Sequence, residues 1–217
     1  MRELTVLYED DDVLVVDKPA GLVTHAAGAN QTAPSLASLV RDRVVDPDQV
    51  RGGIVHRLDR DTSGVMIVAK TTEAKDYLQQ QFKQRLVQKT YQAVVTGRID
   101  EPQLKIDLPL SRDPKNRLKR QASAAGKTAT TEVTVLKHYP EATLIEARPL
   151  TGRTHQLRVH LAAIGHPIVG DRLYGAAGPT SRLLLHAESL ELKLPSGQHR
   201  RFVSPLPTDF KEYLDRL

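Results

Sequence analysis

The strongest constraint on this chain is a polar turn set between two apolar segments. The turn has the sequence RGGIVHRLDRDTSG over residues 51–64 and continues directly into the apolar segment VMIVA. The apolar residues on both sides indicate strands, whereas the charged centre is typical of a loop. Charges at such a corner either neutralise one another as a structural ion pair or face a cleft. The turn alone leaves both interpretations open.

Composition excludes several classes of functional site. The chain has 217 residues, enough for one large domain or two small ones, and no cysteine, which rules out disulfides, thiolate metal sites and thiol nucleophiles. Lysine and arginine number 31 against 26 acidic residues, and this excess favours a polyanionic partner. Aromatic residues make up 4% of the chain, too few for a single-strand-binding surface of stacked rings.

The sequence carries no signal for export or membrane insertion. No apolar run reaches the length of about 18 residues that a membrane helix needs, and no hydrophobic signal segment follows the N-terminus. We therefore expect a soluble, cytoplasmic protein. We also expect a monomer, with neither a membrane nor an obligatory protein as partner.

The periodicity of the remaining sequence predicts many strands and few helices, which favours the α+β class. No repeat or linker divides the chain, so we expect a single domain over residues 1–217. The segment 111–121 is predicted to be a loop, and Thr72 and Ser35 are candidate helix caps. Strands are predicted at 4–8, 13–16, 65–69, 89–97, 104–110, 128–139, 143–148, 183–187, 190–194 and 201–203, and helices at 35–45, 73–85, 154–164 and 209–217.

The predicted loop at 111–121 holds most of the chain's excess of positive over negative charge. Its five cations face a single anion, Asp113, and alternate with proline and asparagine. Such a loop is usually a solvated surface, but the near absence of acid is typical of contact with a phosphate backbone. The cations are Arg112, Lys115, Arg117, Lys119 and Arg120.

Two carboxylates in the polar turn are candidates for acid–base chemistry. Asp61 precedes two hydroxyl residues and suits a structural Asx turn. Asp59 is different, because Arg57 and Arg60 lie close in sequence and favour the ionised carboxylate that a nucleophile or base needs. Asp59 is therefore the candidate reactive group.

A second basic stretch, TGRTHQLRVH at residues 151–160, is its natural companion. Arg153 and His155 fall at a predicted helix N-terminus, where backbone N–H groups favour anions. Arg158 lies one turn further among apolar positions, so its guanidinium should be partly buried and need a carboxylate. That carboxylate is either any structural acid or Asp59. His155 and His160 are five residues apart and face different sides of a helix, so no metal site is expected.

Tyr91 opens the strand predicted at 89–97. A tyrosine there is ordinarily a packing residue, but in a chain so poor in aromatic residues it is the best candidate to stack on a base. Nucleophile elbows, Walker loops and dinucleotide fingerprints do not occur in the sequence.

Five blocks together resemble the RluA family of pseudouridine synthases, in that family's order. The blocks span most of the chain, and their number and order make the resemblance specific. They are HRLDRDTSG at 56–64, KTY at 89–91, GRTHQLRVH at 152–160, GHPIVGD at 165–171 and LLHA at 184–187.

The resemblance implies a role for each matching position. Asp59 corresponds to the catalytic aspartate and Arg158 to the arginine paired with it. Tyr91 corresponds to the tyrosine that packs on the target base, Leu185 to an apolar residue lining the uracil pocket, and Arg57 to the arginine that fills the space left by a flipped nucleotide. Further substrate-binding residues are expected to be His56, Arg153, His155 and the five cations of the loop at 111–121.

The resemblance also implies the fold and the chemistry. We expect a mixed, mostly antiparallel sheet flanked by helices, with ribosomal or transfer RNA in a central cleft and no N-terminal S4 domain. The reaction breaks the N1–C1′ bond of uridine and forms a C5–C1′ bond, so no cofactor or metal is expected.

Two rival functions need different residues. A non-catalytic RNA-binding protein that kept the fold has no need of Asp59 or its arginine. A glycosidase needs a second catalytic carboxylate and a sugar-stacking surface, and the turn offers only Asp61.

Overall fold

The structure is a computed structural model that describes residues 4–25, 34–45, 52–175, 180 and 182–217. Pro47, where the first helix was predicted to stop, and Arg51 of the polar turn lie outside this part. The strands are β1 (Thr5–Glu9), β2 (Val13–Lys18), β3 (Ser63–Ala69), β4 (Gln88–Thr96), β5 (Gln103–Asp107), β6 (Leu110–Arg112), β7 (Arg120–Ala122), β8 (Thr130–His138), β9 (Ala142–Pro149), β10 (Leu185–Lys193) and β11 (His199–Val203), and the helices are α1 (Leu36–Leu39), α2 (Thr72–Gln84), α3 (Gln156–Ala163) and α4 (Thr208–Asp215).

The chain forms two compact units, and the single domain over residues 1–217 stays a prediction. Unit 1 comprises Met1–Lys89 and Ala187–Pro205, and unit 2 comprises Thr90–His186 and Leu206–Leu217. The α+β class and the mostly antiparallel pairing are confirmed. No helix in the described part of the chain is long and apolar enough to span a membrane.

In unit 1, β2 lies between β1 and β3 and pairs antiparallel with both. The turn between β1 and β2 is closed by Asp10, whose carboxylate accepts the backbone N–H groups of Asp12 and Val13. All seven residues of β3 are buried, as their apolar sequence predicts. The register aligns Lys18 with Gly64, so the end of β2 lies beside the end of the polar turn.

Both helices of unit 1 differ from their predicted bounds. The α2 cap is Thr71, whose hydroxyl accepts the N–H of Ala74, because the turn begins one residue earlier than expected. The α1 helix has the predicted cap, Ser35, but ends at Leu39, followed by a 3₁₀ turn at Arg41–Arg43. None of those three residues is buried, so no packing extends the α-helix.

In unit 2 the strand order is β4, β9, β8, β5, with antiparallel pairs throughout. The apolar residues of α3, including Leu157 and Leu161, pack into a core cluster with Ala93, Val133 and Ile145. This packing fixes α3, which carries Arg158, on the sheet.

One loop prediction and one strand prediction in the second half of the chain were wrong. The segment 111–121 is not a simple loop, because β6 and β7 pair as a short hairpin within it. Residues 183–187 and 190–194 do not form separate strands. The polar residues between them stay in β10, since Ser189 pairs with Val203 of β11.

Candidate active site

Asp59 lies on a tight turn whose neighbouring residues are anchored in unit 1. Its backbone carbonyl accepts the N–H of Thr62 at 3.2 Å. The preceding residue, Leu58, is buried, and its carbonyl accepts the hydroxyl of Thr24 at 2.8 Å. Asp59 itself remains partly exposed. The loop backbone is therefore fixed, while Asp59 as a residue keeps part of its surface exposed.

A fully buried lysine binds the backbone of this loop. The ammonium group of Lys18 donates hydrogen bonds to the carbonyls of Pro19 at 2.9 Å, Leu22 at 2.8 Å and Arg60 at 3.1 Å. The Arg60 carbonyl also accepts the N–H of Gly21. Hydrogen bonds from a charged donor are stronger than neutral ones. Lys18 thus joins the segment after β2 to the residue next to Asp59, a role that the sequence analysis missed.

His56 anchors the start of the same loop. Its Nε2 accepts the backbone N–H of Ile67 at 3.0 Å, and its ring stacks on Phe82 at a centroid distance of 4.6 Å. Burial, and then the nearby charge of Lys89, lower the His56 pKa to about 3. The ring is therefore neutral with Nε2 unprotonated, as the hydrogen bond requires. We predicted RNA contact for His56; the structure assigns it this backbone contact, and RNA contact stays a prediction.

Two glycines of the polar turn allow close backbone approach. Gly64 has φ +121°, and a Cβ there would lie 2.1 Å from the carbonyl oxygen of Ala187. Gly53 has φ +73°, and a Cβ would lie 2.0 Å from the carbonyl oxygen of Ala69. Only glycine satisfies both the backbone angle and the contact.

The two arginines that flank Asp59 in the turn contact different residues. Arg60 pairs with Asp61 through Nε at 2.9 Å and Nη2 at 3.2 Å, and both side chains are largely exposed. Asp61 therefore takes part in a structural ion pair, one of the two interpretations that the sequence left open for charges in the turn. Arg57 is exposed, with its Nη1 3.5 Å from Nε2 of His25. The arginine that directly follows Asp59 thus contacts the other carboxylate of the turn.

In unit 2, Arg158 is buried in a bidentate ion pair with Asp171. Nε and Nη2 each lie 2.8 Å from a different carboxylate oxygen. Arg158 is 9% exposed and Asp171 1%. The predicted burial and the need for a carboxylate are confirmed, with Asp171 as the structural partner. Pairing with Asp59 stays a prediction, since that residue belongs to the other unit.

Asp171 is held ionised despite its burial. Burial alone raises the pKa of a carboxylate, but the hydrogen bonds and charge of Arg158, with the N–H groups of Leu173 and Tyr174, bring the Asp171 pKa below its ordinary value. Asp171 ends the block GHPIVGD, and no role was predicted for it. Its position directly after the apolar segment PIVG was the available signal.

The start of α3 is shaped by a glutamine. The Gln156 side-chain oxygen accepts the hydroxyl of Thr151 at 2.7 Å and the N–H of Arg153 at 3.0 Å. His155 adopts a left-handed conformation with φ 58°, so the helix begins two residues later than residue 154. Arg153 donates from Nε to the carbonyl of Thr128 at 3.1 Å. These contacts orient the two predicted substrate-binding residues, Arg153 and His155.

Tyr91 and Leu185 meet at one apolar cluster in unit 2. Leu185 is 4% exposed and belongs to the cluster that includes Leu157 of α3, and the partly buried Tyr91 packs against that cluster. The structure thus places these two predicted residues in one apolar surrounding. Their contact with a uracil stays a prediction.

The hairpin of β6 and β7 presents the basic residues. Arg112 and Arg120 are paired across the strands, while Lys115 and Arg117 are exposed in the turn and Lys119 is partly buried. Asp113, the one anion, accepts the N–H groups of residues 115 and 116 at 2.7 and 3.1 Å. That carboxylate is engaged in shaping the turn.

Comparisons with known proteins show which proteins this chain is similar to. The sequence pattern of the family described as RNA pseudouridylate synthase matches residues 12–163. Ribosomal large subunit pseudouridine synthase D of Nitrosomonas europaea is 40% identical, covering 99% of this chain and 65% of that protein. The Bacillus subtilis protein named Uncharacterized RNA pseudouridine synthase YlyB is 39% identical, covering 99% of this chain and 73% of its own.

A solved structure leads to the same assignment. Human RNA Pseudouridylate Synthase Domain Containing 1 superposes with a TM-score of 0.79 at 29% identity, covering 94% of this chain and 84% of that chain. The fold, the ordered motifs and the relatives all agree. This chain belongs to the RNA pseudouridylate synthase family.

Proposed function

We propose that the chain isomerises uridine to pseudouridine in ribosomal RNA, with Asp59 as nucleophile or base. The observation that carries this proposal is the contrast at the loop. Lys18, Thr24 and His56 hold its backbone, yet Asp59 is only partly buried. A reactive group needs such a rigid support and an open approach. The name of the Nitrosomonas europaea relative supports ribosomal RNA as the substrate.

The proposed chemistry needs one ionised carboxylate. The glycosidic N1–C1′ bond breaks, the uracil turns, C5 bonds to C1′, and the proton on C5 is lost while N1 regains one. Asp59 either attacks C1′ to form a sugar ester or removes a sugar proton to form a glycal. Both routes keep all the atoms of uridine, so the reaction is an isomerisation.

The detached uracil must be retained between the two bonding steps. We assign this to Tyr91, stacked on the base, and to Leu185 in the adjacent apolar cluster. An apolar surrounding with an aromatic face holds a base without restricting its rotation about the stacking axis.

The target nucleotide must leave its stack to reach Asp59. Unstacking costs a few kcal/mol, and cationic contacts to the phosphates can offset it. The exposed Arg57 is suited to fill the vacated space, and the basic hairpin of β6 and β7 is suited to hold the backbone. Transfer RNA stem-loops offer the same features and are the alternative substrate.

Arg158 is proposed to orient Asp59. Asp171 occupies its Nε and Nη2 edge, which fixes the plane of the guanidinium. A guanidinium held in this way can present its remaining donors in one direction only.

The experiment compares Asp59→Asn with Asp61→Asn as a matched control. Purified protein is incubated with ribosomal RNA, pseudouridine is mapped chemically, and RNA affinity is measured separately. We expect Asp59→Asn to lower the rate by roughly 10³-fold or more while RNA binding persists. Asp61→Asn, in the same turn but paired with Arg60, should keep most activity. Turnover by Asp59→Asn would refute the proposal, and release of free uracil would indicate a glycosidase instead.

A further inference from the structure

Tyr174 contacts Arg158, Asp171 and Arg120 of the basic hairpin, all in unit 2. It belongs to the turn at residues 171–175, which is closed by a hydrogen bond from the N–H of Gly175 to the carbonyl of Asp171. Its ring packs beside Leu110, Ala129 and Val159. The side chain is therefore fixed by packing as well as by its polar contacts.

The ring of Tyr174 covers one face of Arg158. The guanidinium carbon lies 5.1 Å from the ring centroid, while the carboxylate of Asp171 takes the Nε and Nη2 edge. The N–H of Tyr174 in turn donates to the same carboxylate at 3.1 Å. One short turn thus supplies both the edge partner and the stacking partner of Arg158. A cation stacked on a ring in a buried place is held more firmly than at an exposed one.

The hydroxyl of Tyr174 points to other parts of the unit. It accepts the backbone N–H of Arg120 at 2.7 Å and shares a hydrogen bond of 2.8 Å with Nδ1 of His155. Arg120 begins β7 of the basic hairpin, and His155 precedes α3. Lys119 also lies near the ring, with its ammonium nitrogen 6.0 Å from the centroid. The hydroxyl therefore ties the base of the hairpin to the helix that carries Arg158.

We propose that Tyr174 is a positioning residue with two roles, one in RNA binding by the basic hairpin and one in the orientation of Arg158. Its two halves act separately: the ring stabilises the guanidinium, and the hydroxyl fixes the hairpin. The proposal rests on the proposed function, because it assigns the hairpin to RNA and Arg158 to the reaction. Its two halves can be removed one at a time.

Tyr174→Phe removes the hydroxyl and keeps the ring. Losing the hairpin tie should raise the dissociation constant for a ribosomal RNA fragment by about 3- to 10-fold, the effect of one hydrogen bond. The single-turnover rate at saturating RNA should stay within about twofold, since the stack on Arg158 persists. Amide exchange at Arg120 should become faster. Tyr213→Phe, a hydroxyl deletion at a buried tyrosine of another cluster in unit 2, is the matched control and should change none of these.

Tyr174→Leu removes the ring as well. We expect the weakened RNA binding of Tyr174→Phe together with a single-turnover rate lowered by about 10-fold or more, the worth of a buried cation–π contact. The Nε–H resonance of Arg158, followed by NMR, should stay protected in Tyr174→Phe and exchange faster in Tyr174→Leu.

The two variants distinguish the role of the Tyr174 hydroxyl from the role of its ring. Unchanged RNA affinity and unchanged Arg120 exchange in Tyr174→Phe would refute the hairpin tie. Equal rates and equal Arg158 protection in the two variants would refute the role of the ring. If the wild-type protein made no pseudouridine, the proposed function would fail, while RNA affinity, amide exchange and the Arg158 resonance would still decide this proposal.

Discussion

His56→Gln should make the protein less sensitive to acid. The Nε2 atom of His56 accepts the N–H of Ile67, and this acceptor is lost when the ring is protonated. Glutamine places an uncharged oxygen at about the same distance from its Cα, so it keeps an acceptor and removes the titration. The two proteins should therefore differ little at neutral pH and diverge as the pH falls.

The size of the effect follows from the lowered pKa of His56. The folded state holds this pKa at about 3, against 6.5 for an ordinary histidine. A lowered histidine pKa contributes stability that is fully present above pH 6.5 and is lost progressively toward pH 3. The full shift corresponds to about 2.5 kcal/mol lost between pH 7 and 4.5. His56 as a residue keeps some exposed surface, so solvent screens part of this effect and we expect about 1–2 kcal/mol.

Urea unfolding at pH 7 and 4.5 tests this difference. The wild-type free energy of unfolding should fall by about 1–2 kcal/mol more than that of His56→Gln over this interval. Taking the difference cancels the other titrating groups, which are common to both proteins. Parallel losses in the two proteins would show that His56 is not held neutral by the fold.

Two further substitutions test the ion pair and the polar turn. Arg158→Ala should lower the free energy of unfolding by about 3–5 kcal/mol, because it leaves the carboxylate of Asp171 buried and unpaired, whereas Arg98→Ala at an exposed pair should cost about 0.5 kcal/mol or less; equal losses would contradict the buried pair. Gly64→Ala should cost about 3 kcal/mol or more, since its Cβ meets a backbone oxygen, whereas Gly165→Ala, with φ +87° and no atom within 4 Å, should cost about 1 kcal/mol. Denaturant unfolding measures the losses for both pairs of variants. Similar losses for Gly64→Ala and Gly165→Ala would contradict the close approach of Gly64 to the carbonyl oxygen of Ala187.

The sequence predicted elements whose pattern is local. The apolar run of β3 and the spacing of α2 appeared close to their predicted bounds because burial imposes a period on the sequence. The hairpin of β6 and β7 was missed because its strands are three residues long and basic. Such short strands are set by pairing, not by an apolar period.

The site was predictable in its residue types and less so in its contacts. The need of Arg158 for a carboxylate followed from its apolar neighbours, but the choice of Asp171 depends on a turn 13 residues away. His56 was expected to contact RNA because it belongs to the block HRLDRDTSG that carries the family resemblance. Its acceptor role depends on the position of Ile67 in β3, which only the folded chain defines.

The enclosure of Lys18 gives it a distinct chemical reactivity. Amine-directed acylating reagents react with an exposed lysine in its neutral amine form. Lys18 is 0% exposed, and its Nζ donates hydrogen bonds to three backbone carbonyls. Lys115 at the hairpin turn is exposed and should label at once. Labelling of Lys18 therefore requires the Asp59 loop to separate from the segment after β2. Its labelling rate, read by mass spectrometry, measures how often the Asp59 loop opens in the native protein.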